Sequence, residues 1–244
     1  MNKRSLDQYD LESLRQALPR KYSETFIGFT PWRDDFEGWE RSPKEFFPET
    51  PERTVTRTIW DNSKDRDERI LIEVAECASA EKALKALEDR LDWNQLPKLE
   101  SGPKGLGYAS FVHPEDVPPA VFFIRGNLCV SVVSFGRKAV EVNELARSIN
   151  ARLENRPRTE KTSISLSIGD PRLKAGGESV LKYSLPWRYG EEGYVTFFVS
   201  GGVLSLKEKT LFISSDEPGK LTVEAYILEP GREPHAGRLT VSVE

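Results

Sequence analysis

The sequence predicts a protein of two domains, an α+β domain followed by an all-β sandwich. Up to about Arg152 the hydrophobic residues alternate between strand-like and helical periods. After Lys161 only short strand patterns occur, separated by glycine and proline. A chain of 244 residues is long enough for two such cores. The predicted segments are residues 1–52, an N-terminal helix and an aromatic-rich wrap that belong to the first domain, residues 53–155, the α+β domain, and residues 162–244, the sandwich.

The composition is that of a soluble globular protein with mixed charges. The chain has 39 acidic and 35 basic residues, a net charge of −4, and no basic stripe. We therefore expect no nucleic acid partner. No run reaches the roughly eighteen apolar residues that span a bilayer, so no membrane insertion is expected. The first ten residues contain acids where a secretory signal needs an apolar stretch. The default expectation is thus a cytoplasmic protein, and the sequence leaves export open.

The first domain is predicted to open with a helix at residues 5–18, where leucines share one face and a proline ends the pattern. Residues 20–52 are rich in proline, glycine and aromatic residues and show no regular period, so we expect them to wrap across the domain. Two β-rich runs, residues 53–60 and 69–77, flank a polar turn and predict a hairpin. Residues 80–92 then carry an apolar stripe at helical spacing.

The same order of elements follows a second time. Residues 105–112 predict a further strand, and residues 120–125 and 128–135 predict a tight hairpin around Gly126. Residues 138–153 predict a second amphipathic helix. Because the hairpin–helix order occurs twice, we predict one antiparallel sheet with both helices on one face.

The second domain is predicted to contain only short strands, separated by paired glycines or Pro-Gly turns. Leu221, Val223, Ala225 and Ile227 recur at every second position, which is typical of a strand with one buried face. The predicted strands span residues 163–168, 179–185, 194–200, 210–214, 221–228 and 238–243.

Three blocks of this domain resemble a known family. Residues 169–178, which begin Gly-Asp-Pro and end Gly-Gly-Glu, residues 201–205 (Gly-Gly-Val-Leu-Ser) and residues 217–225 (Glu-Pro-Gly-Lys-Leu-Thr-Val-Glu-Ala) are similar to bacterial immunoglobulin-like repeats of invasin-type adhesion proteins. The resemblance covers the C-terminal third of the chain and implies an immunoglobulin-like β-sandwich with a binding role. The domain has no cysteine, so it lacks the disulfide of antibody-type domains.

The first domain resembles small bacterial α+β domains that occur in cell-envelope proteins. The similarity lies in the Arg-Gly-Asn of residues 125–127, at the end of a strand, and in the Leu-Ala-Arg-Ser-Ile of residues 145–149 in the following helix. It implies a bacterial protein with a link to the envelope, and it implies no activity.

The histidines and cysteines are the first candidates for reactive groups. His113 and His235 are the only histidines, and neither has a second histidine or a cysteine near it in sequence. We therefore predict connecting loops at both, with no metal site and no cofactor. Cys77 and Cys129 are predicted to be buried thiols. A disulfide between them is the alternative, because they occupy equivalent hairpins of the proposed repeat.

One acidic stretch offers an enzymatic alternative. Asp35 and Glu37 lie among the aromatic residues Trp32, Phe36 and Trp39. Sugar-cleaving sites combine paired carboxylates with aromatic platforms, so a glycosidase-like hydrolase would use these two acids. The competing interpretation is that the aromatic side chains fill the α+β core while the acids face water.

We expect a non-catalytic protein that binds a protein or glycan partner through aromatic surfaces. The predicted binding residues are Trp32, Phe36 and Trp39 in the first domain and Trp187 and Tyr189 in the second. For Trp187 the sequence equally allows a packing anchor between the domains. The two alternatives for the whole protein are the hydrolase described above and a structural spacer.

Overall fold

The computed structural model describes residues 24–43, 45–50, 53–93, 99–115, 117–170, 172–207 and 209–244. The structure is 48% strand, and the strands of its described residues form three antiparallel sheets, so the β-rich character of the predicted fold is confirmed. The helix predicted at residues 5–18 lies outside the described residues.

The regular elements of the described residues are two α-helices, sixteen strands and a short 3-10 turn at Arg33–Asp35. The helices are α1 (Ala80–Trp93) and α2 (Asn143–Glu154). The strands are β1 (Glu24–Ile27), β2 (Trp39–Arg41), β3 (Glu45–Thr50), β4 (Arg53–Asn62), β5 (Arg69–Cys77), β6 (Glu100–Ser101), β7 (Ala109–Val112), β8 (Ala120–Arg125), β9 (Leu128–Ser134), β10 (Ser165–Ile168), β11 (Glu178–Ser184), β12 (Tyr194–Ser200), β13 (Val203–Lys207), β14 (Thr210–Ser214), β15 (Gly219–Leu228) and β16 (His235–Val243).

The first compact unit contains Pro31–Asn155 and is built on one sheet of eight strands. Their order is β2-β4-β5-β9-β8-β7-β6, with β3 also paired to β4. Both predicted hairpins are confirmed, since β4 pairs with β5 and β8 pairs with β9. The second helix begins at Asn143 rather than at residue 138. The reason is that the N–H groups of Lys138 and Val140 bond to Asp67 and Ser134 of the sheet region.

The two helices of this unit lie on opposite faces of the sheet. Through their pairing with β9, Glu73 and Phe122 have side chains on the same face of the sheet. The ion pair between Arg90 of α1 and Glu73 shows that α1 lies on that face. Arg125 is an odd number of positions from Phe122 on β8, so its side chain belongs to the other face. There Arg125 Nη1 lies 2.8 Å from Oε1 of Glu154 in α2. The prediction of both helices on one face is therefore wrong.

Burial along the inner strands explains why each face needs a helix. All residues of β8 from Ala120 to Ile124 are buried, and so are the first five residues of β9. A continuous apolar run of this kind is typical of a strand covered on both faces, whereas a half-exposed strand alternates. The prediction of both helices on one face rests on the repeated hairpin–helix order, whereas these apolar runs indicate a sheet that is covered on both faces.

The second compact unit contains Arg156–Glu244 and the described residues of Pro19–Thr30. It has two four-stranded sheets, in the orders β1-β12-β15-β16 and β10-β11-β14-β13. Their inner faces share one hydrophobic cluster in which Phe197, Ile213 and Val223 are fully buried. The predicted strands are present with small shifts at their ends. Strand β13 was not predicted, and it follows a turn at Gly201 with a φ of +77°.

Strand β1 differs most from expectation. The sequence predicts that residues 1–52 belong to the first domain, whereas β1 pairs along its whole length with β12 of the second unit. Thr25 and Ile27 lie opposite Phe197 and Val195 of the hydrophobic cluster, and Ile27 packs against that cluster. Four residues of an aromatic-rich segment show too little alternation to reveal such a strand.

Replacing Phe26 by alanine tests this placement. Phe26 is fully buried and its ring lies 6.5 Å from that of Tyr194, so the substitution should cost about 3–5 kcal/mol of unfolding free energy. Hydrogen exchange followed by mass spectrometry should show faster exchange in β12 and β15. An increase in exchange rate confined to β4, β5, β8 and β9 would instead indicate that this segment packs with the first unit.

Candidate functional site

A pocket of about 320 Å³ opens between helix α1 and strands β4, β5 and β9 of the first unit. Charged side chains form its walls and small side chains form its floor. We call it the arginine pocket, and it is lined by Arg53, Val55, Arg57, Glu73, Ala75, Ala86, Asp89, Arg90, Cys129 and Ser131.

The floor of the arginine pocket follows from the strand register. Val55, Ala75 and Cys129 lie opposite one another across β4, β5 and β9, so their side chains form one row facing α1. Ala86 approaches from the helix. Because most of these side chains are small, the helix cannot close on the sheet here and space is left between them.

A buried carboxylate organises the walls. The side chain of Glu73 is only 8% exposed, and Arg57 Nε donates a hydrogen bond of 2.6 Å to its Oε2. Arg90 forms an ion pair with the Oε1 of the same carboxylate. Burying a carboxylate is costly unless ionic partners and hydrogen bonds compensate. Glu73 therefore fixes Arg57 of the sheet and Arg90 of the helix on either side of itself.

A second ion pair lies at the mouth of the pocket. Arg53 Nη1 is 3.8 Å from Oδ2 of Asp89, and Lys85 Nζ is 3.1 Å from Oδ1 of the same carboxylate. The hydrogen bond to Asp89 raises the pKa of Lys85 above its ordinary value. Among the lining residues, three arginines thus face two carboxylates, and Glu45 of β3 lies opposite Arg57 in the strand register.

Cys129 contributes an unreactive thiol to the floor. Burial raises the pKa of this thiol to about 12 from an ordinary value of 9.0, and the positive charges of Arg90 and Arg53 oppose that rise only in part. Cys77 and Cys129 are both free and buried. The prediction of buried thiols is confirmed, and the two residues form no disulfide.

No charged residue of the arginine pocket is among the site residues predicted from the sequence. One signal was present, because Glu73 interrupts the otherwise apolar run from Ile70 to Ala75. A charged residue within a strand that is covered on both faces needs a partner. The identity of that partner depends on the register with β4, which the sequence does not supply.

The predicted catalytic acids do not form a pair. The side chain of Asp35 is 3% exposed. Its Oδ1 accepts a hydrogen bond of 2.7 Å from Arg152 Nε, and its Oδ2 accepts one of 2.8 Å from the Trp32 N–H. Glu37 is exposed to solvent. Asp35 thus anchors the 3-10 turn to α2, and the Arg152 guanidinium lies 3.7 Å from the centre of the Trp32 ring.

The aromatic residues of the 26–47 stretch have different surroundings. Phe36 is buried, with its ring 4.6 Å from that of Trp60 in an edge-to-face arrangement, so it forms part of the core. Trp39 is half-buried in β2. The side chains of Phe46 and Phe47 lie outside the described part of the chain. Among the side chains that are described, the one large exposed hydrophobic is Phe135.

The predicted aromatic residues of the second unit are half-buried. Trp187 and Tyr189 pack against its hydrophobic cluster. The ring of Trp187 meets His235 edge-to-face at 4.4 Å, and the Arg232 guanidinium lies 5.6 Å from its centre. His235 Nδ1 lies 2.6 Å from the hydroxyl of Ser163.

Neither histidine takes part in a recognisable metal site. His113 Nδ1 lies 2.8 Å from the carbonyl oxygen of Pro118, within its own loop. In the described ranges, no group of three or more histidine, cysteine, aspartate or glutamate side chains could hold a metal ion. No helix in that part of the chain is long and apolar enough to cross a membrane.

Comparisons with known proteins found no matching family, no matching curated protein and no matching solved structure.

The pair of Asp35 and Arg152 predicts a strong effect on stability. Changing Asp35 to alanine leaves Arg152, 23% exposed, without its carboxylate, and should lower the unfolding free energy by about 3–5 kcal/mol. The matched change of the exposed Glu37 to alanine should stay within about 0.5 kcal/mol of wild type. Urea denaturation measures both. Equal effects at the two positions would contradict a structural role for Asp35.

The raised pKa of Cys129 predicts slow alkylation. A pKa of about 12 in place of 9.0 lowers the thiolate fraction at pH 8 roughly a thousandfold. Iodoacetamide labelling of the native protein, followed by peptide mass spectrometry, should be slower than that of unfolded protein by about that factor. The native rate should keep rising above pH 9, and the contribution of the neutral thiol to stability should be lost between pH 9 and 12. A plateau near pH 9 would refute the assignment.

Proposed function

We propose that this protein is a non-catalytic binding protein that holds a small ligand in the arginine pocket. The observation that carries the proposal is a space of about 320 Å³ in which charged groups converge over a floor of small side chains. Ligand sites commonly combine a concave, mostly apolar surface with a few placed polar groups in this way. The pocket also lies between secondary-structure elements rather than on loops, which favours a preformed shape.

Binding is favoured over chemistry because the reactive groups at the pocket are held inactive. Glu73 is fixed between Arg57 and Arg90, and both of its carboxylate oxygens are already engaged by these ion pairs. The Cys129 thiol stays protonated at neutral pH, and the thiolate is the nucleophilic form of cysteine.

The hydrolase alternative has less support. It requires Asp35 and Glu37 to act on one substrate from opposite sides. Asp35 is buried in its contacts with Arg152 and Trp32, whereas Glu37 faces solvent. An acid that is already engaged in this way is poorly placed to donate or accept a proton.

For the second unit we propose an immunoglobulin-like interaction module of the kind found in bacterial adhesion and envelope proteins, forming a domain of its own. Two four-stranded sheets around one core support this proposal. Trp187, Tyr189 and Arg232 form a second candidate site, for a protein or glycan partner, because aromatic residues beside arginine are enriched in interface hot spots. A structural spacer would use neither site.

Filling the pocket tests the proposed function. We expect ligand-observed NMR to detect hits from a library of small neutral, anionic and cationic organic fragments with the full-length protein. Replacing Ala86 by leucine adds bulk at the pocket and should abolish most hits while keeping the fold. The matched change of the exposed Ala151 to leucine should preserve them. Absence of hits, or hits that still bind the Ala86→Leu variant, would contradict the proposed function.

A further inference from the structure

We infer that the arginine pocket selects a small uncharged organic molecule, with an apolar body and one polar group that bonds to the Ser131 hydroxyl. The inference rests on the proposed function, because it names the chemical class of the ligand for that same pocket. Three features support it: the charged side chains of the walls have partners within the protein, the floor is apolar, and Ser131 brings a buried hydroxyl to the pocket.

The ion pairs of the walls favour a ligand without charge. Arg57 and Arg90 both contact the carboxylate of Glu73, whose side chain is 8% exposed. Arg53 pairs with Asp89 across 3.8 Å. A charged ligand would have to separate one of these pairs or remain without a partner of its own, and an unpaired charge in a partly buried place is costly. An uncharged ligand leaves every one of these pairs intact.

Charged side chains next to the pocket are paired in the same way. Lys85 Nζ lies 3.1 Å from Oδ1 of Asp89 and 3.5 Å from Oε2 of Glu88. Glu45 of β3 lies opposite Arg57 in the strand register, on the edge of β4 away from β5. Opposite charges therefore lie side by side around the pocket. An incoming ion of either sign would compete with a partner that is already in place.

The floor of the pocket favours an apolar body on the ligand. Val55, Ala75 and Ala86 have only hydrocarbon side chains, and the Cys129 thiol is neutral at physiological pH because burial raises its pKa to about 12. Covering this floor removes apolar surface from water, which is favourable. The volume of about 320 Å³ lies at the small end of the range for ligand pockets, so a single ring or a branched aliphatic group suits it.

Ser131 brings one polar group to this floor. It lies opposite Glu73 in the register of β9 with β5, and two positions from Cys129, so its side chain is on the face covered by α1. The residue is only 4% exposed, and its hydroxyl has no hydrogen-bond partner in the part of the chain that the structure describes. Buried hydroxyl groups normally have such a partner. Because Ser131 lines the pocket, a bound ligand can supply the missing bond.

This hydroxyl determines which end of the ligand lies at Ser131. An alcohol, an amide or a ketone can exchange a hydrogen bond with a serine hydroxyl, whereas a hydrocarbon of the same size cannot. A ligand without a polar group would displace water from Ser131 and leave the hydroxyl without a replacement bond. Ser131 is therefore a specificity-determining residue, which selects a polar group on the ligand without requiring a charge.

Titration of the full-length labelled protein, followed by NMR at neutral pH, tests the preference for an uncharged ligand. The three probes have nearly equal size: 2-phenylethanol is neutral, phenylacetate is an anion and 2-phenylethylamine is a cation. We expect 2-phenylethanol to bind at least about tenfold tighter than either ion, because an ion must displace a charge that is already paired. Binding of phenylacetate or 2-phenylethylamine as tight as that of the alcohol would overturn the inference.

The Ser131→Ala variant tests the hydrogen bond, with ethylbenzene as the analogue of 2-phenylethanol that lacks the hydroxyl. The change removes one oxygen and breaks no described hydrogen bond of the side chain, so the variant should fold. It should weaken 2-phenylethanol about fivefold and leave ethylbenzene unchanged. Each probe is compared with itself on wild type, so the different hydrophobicity of the two probes cancels. The matched control is Ser101→Ala, at an exposed position of β6 that does not line the pocket, and it should affect neither probe.

The outcomes keep the two proposals apart. An equal effect of Ser131→Ala on both probes, or no effect on either, would overturn the assigned role of Ser131 while leaving a small-molecule pocket in place. If library fragments bind but 2-phenylethanol does not, the inference fails and the proposed function stands. If no probe and no library fragment binds, the proposed function fails and the inference fails with it.

Discussion

The buried carboxylate of Glu73 is the interaction on which the first unit depends. Strand β5 is covered on both faces, so a charge in its middle cannot reach bulk water and must find cations within the protein. The register supplies Arg57 from β4 and the helix supplies Arg90. This requirement fixes the position of α1 along the sheet. It also determines which side chains lie under the helix, because the strand register that brings Arg57 next to Glu73 also aligns the neighbouring residues of these strands.

Stability alone does not account for this charge. Apolar side chains of similar volume often replace a buried ion pair without loss, and sometimes with a gain, of stability. Small residues at Ala75 and Ala86 likewise leave space that larger residues would fill with favourable packing. A network of charges beside an unfilled space is what a preorganised binding site requires, since its groups are in place before the ligand arrives.

Local patterns were enough to predict most of the regular structure, and long-range pairing was not. The hairpins β4–β5 and β8–β9 and helix α1 follow from residues close in sequence, and their bounds agree with expectation to within a few residues. Strand β1 and the placement of α2 depend on partners far along the chain. The arginine pocket was missed for the same reason, because Arg57 and Glu73 become neighbours only through the register. Asp35 and Phe36 looked like site residues because local composition does not reveal burial.

Strand β1 also constrains the order in which the protein can fold during synthesis. It leaves the ribosome well before β12, the strand with which it pairs. Until β12 has been synthesised, the backbone N–H and C=O groups of β1 have no partner strand and must remain hydrated or be shielded by a chaperone. The sheet of the first unit can assemble meanwhile from strands close in sequence. The second unit can therefore be completed only after the chain from β1 to β12 has been translated, because β1 forms part of one of its sheets.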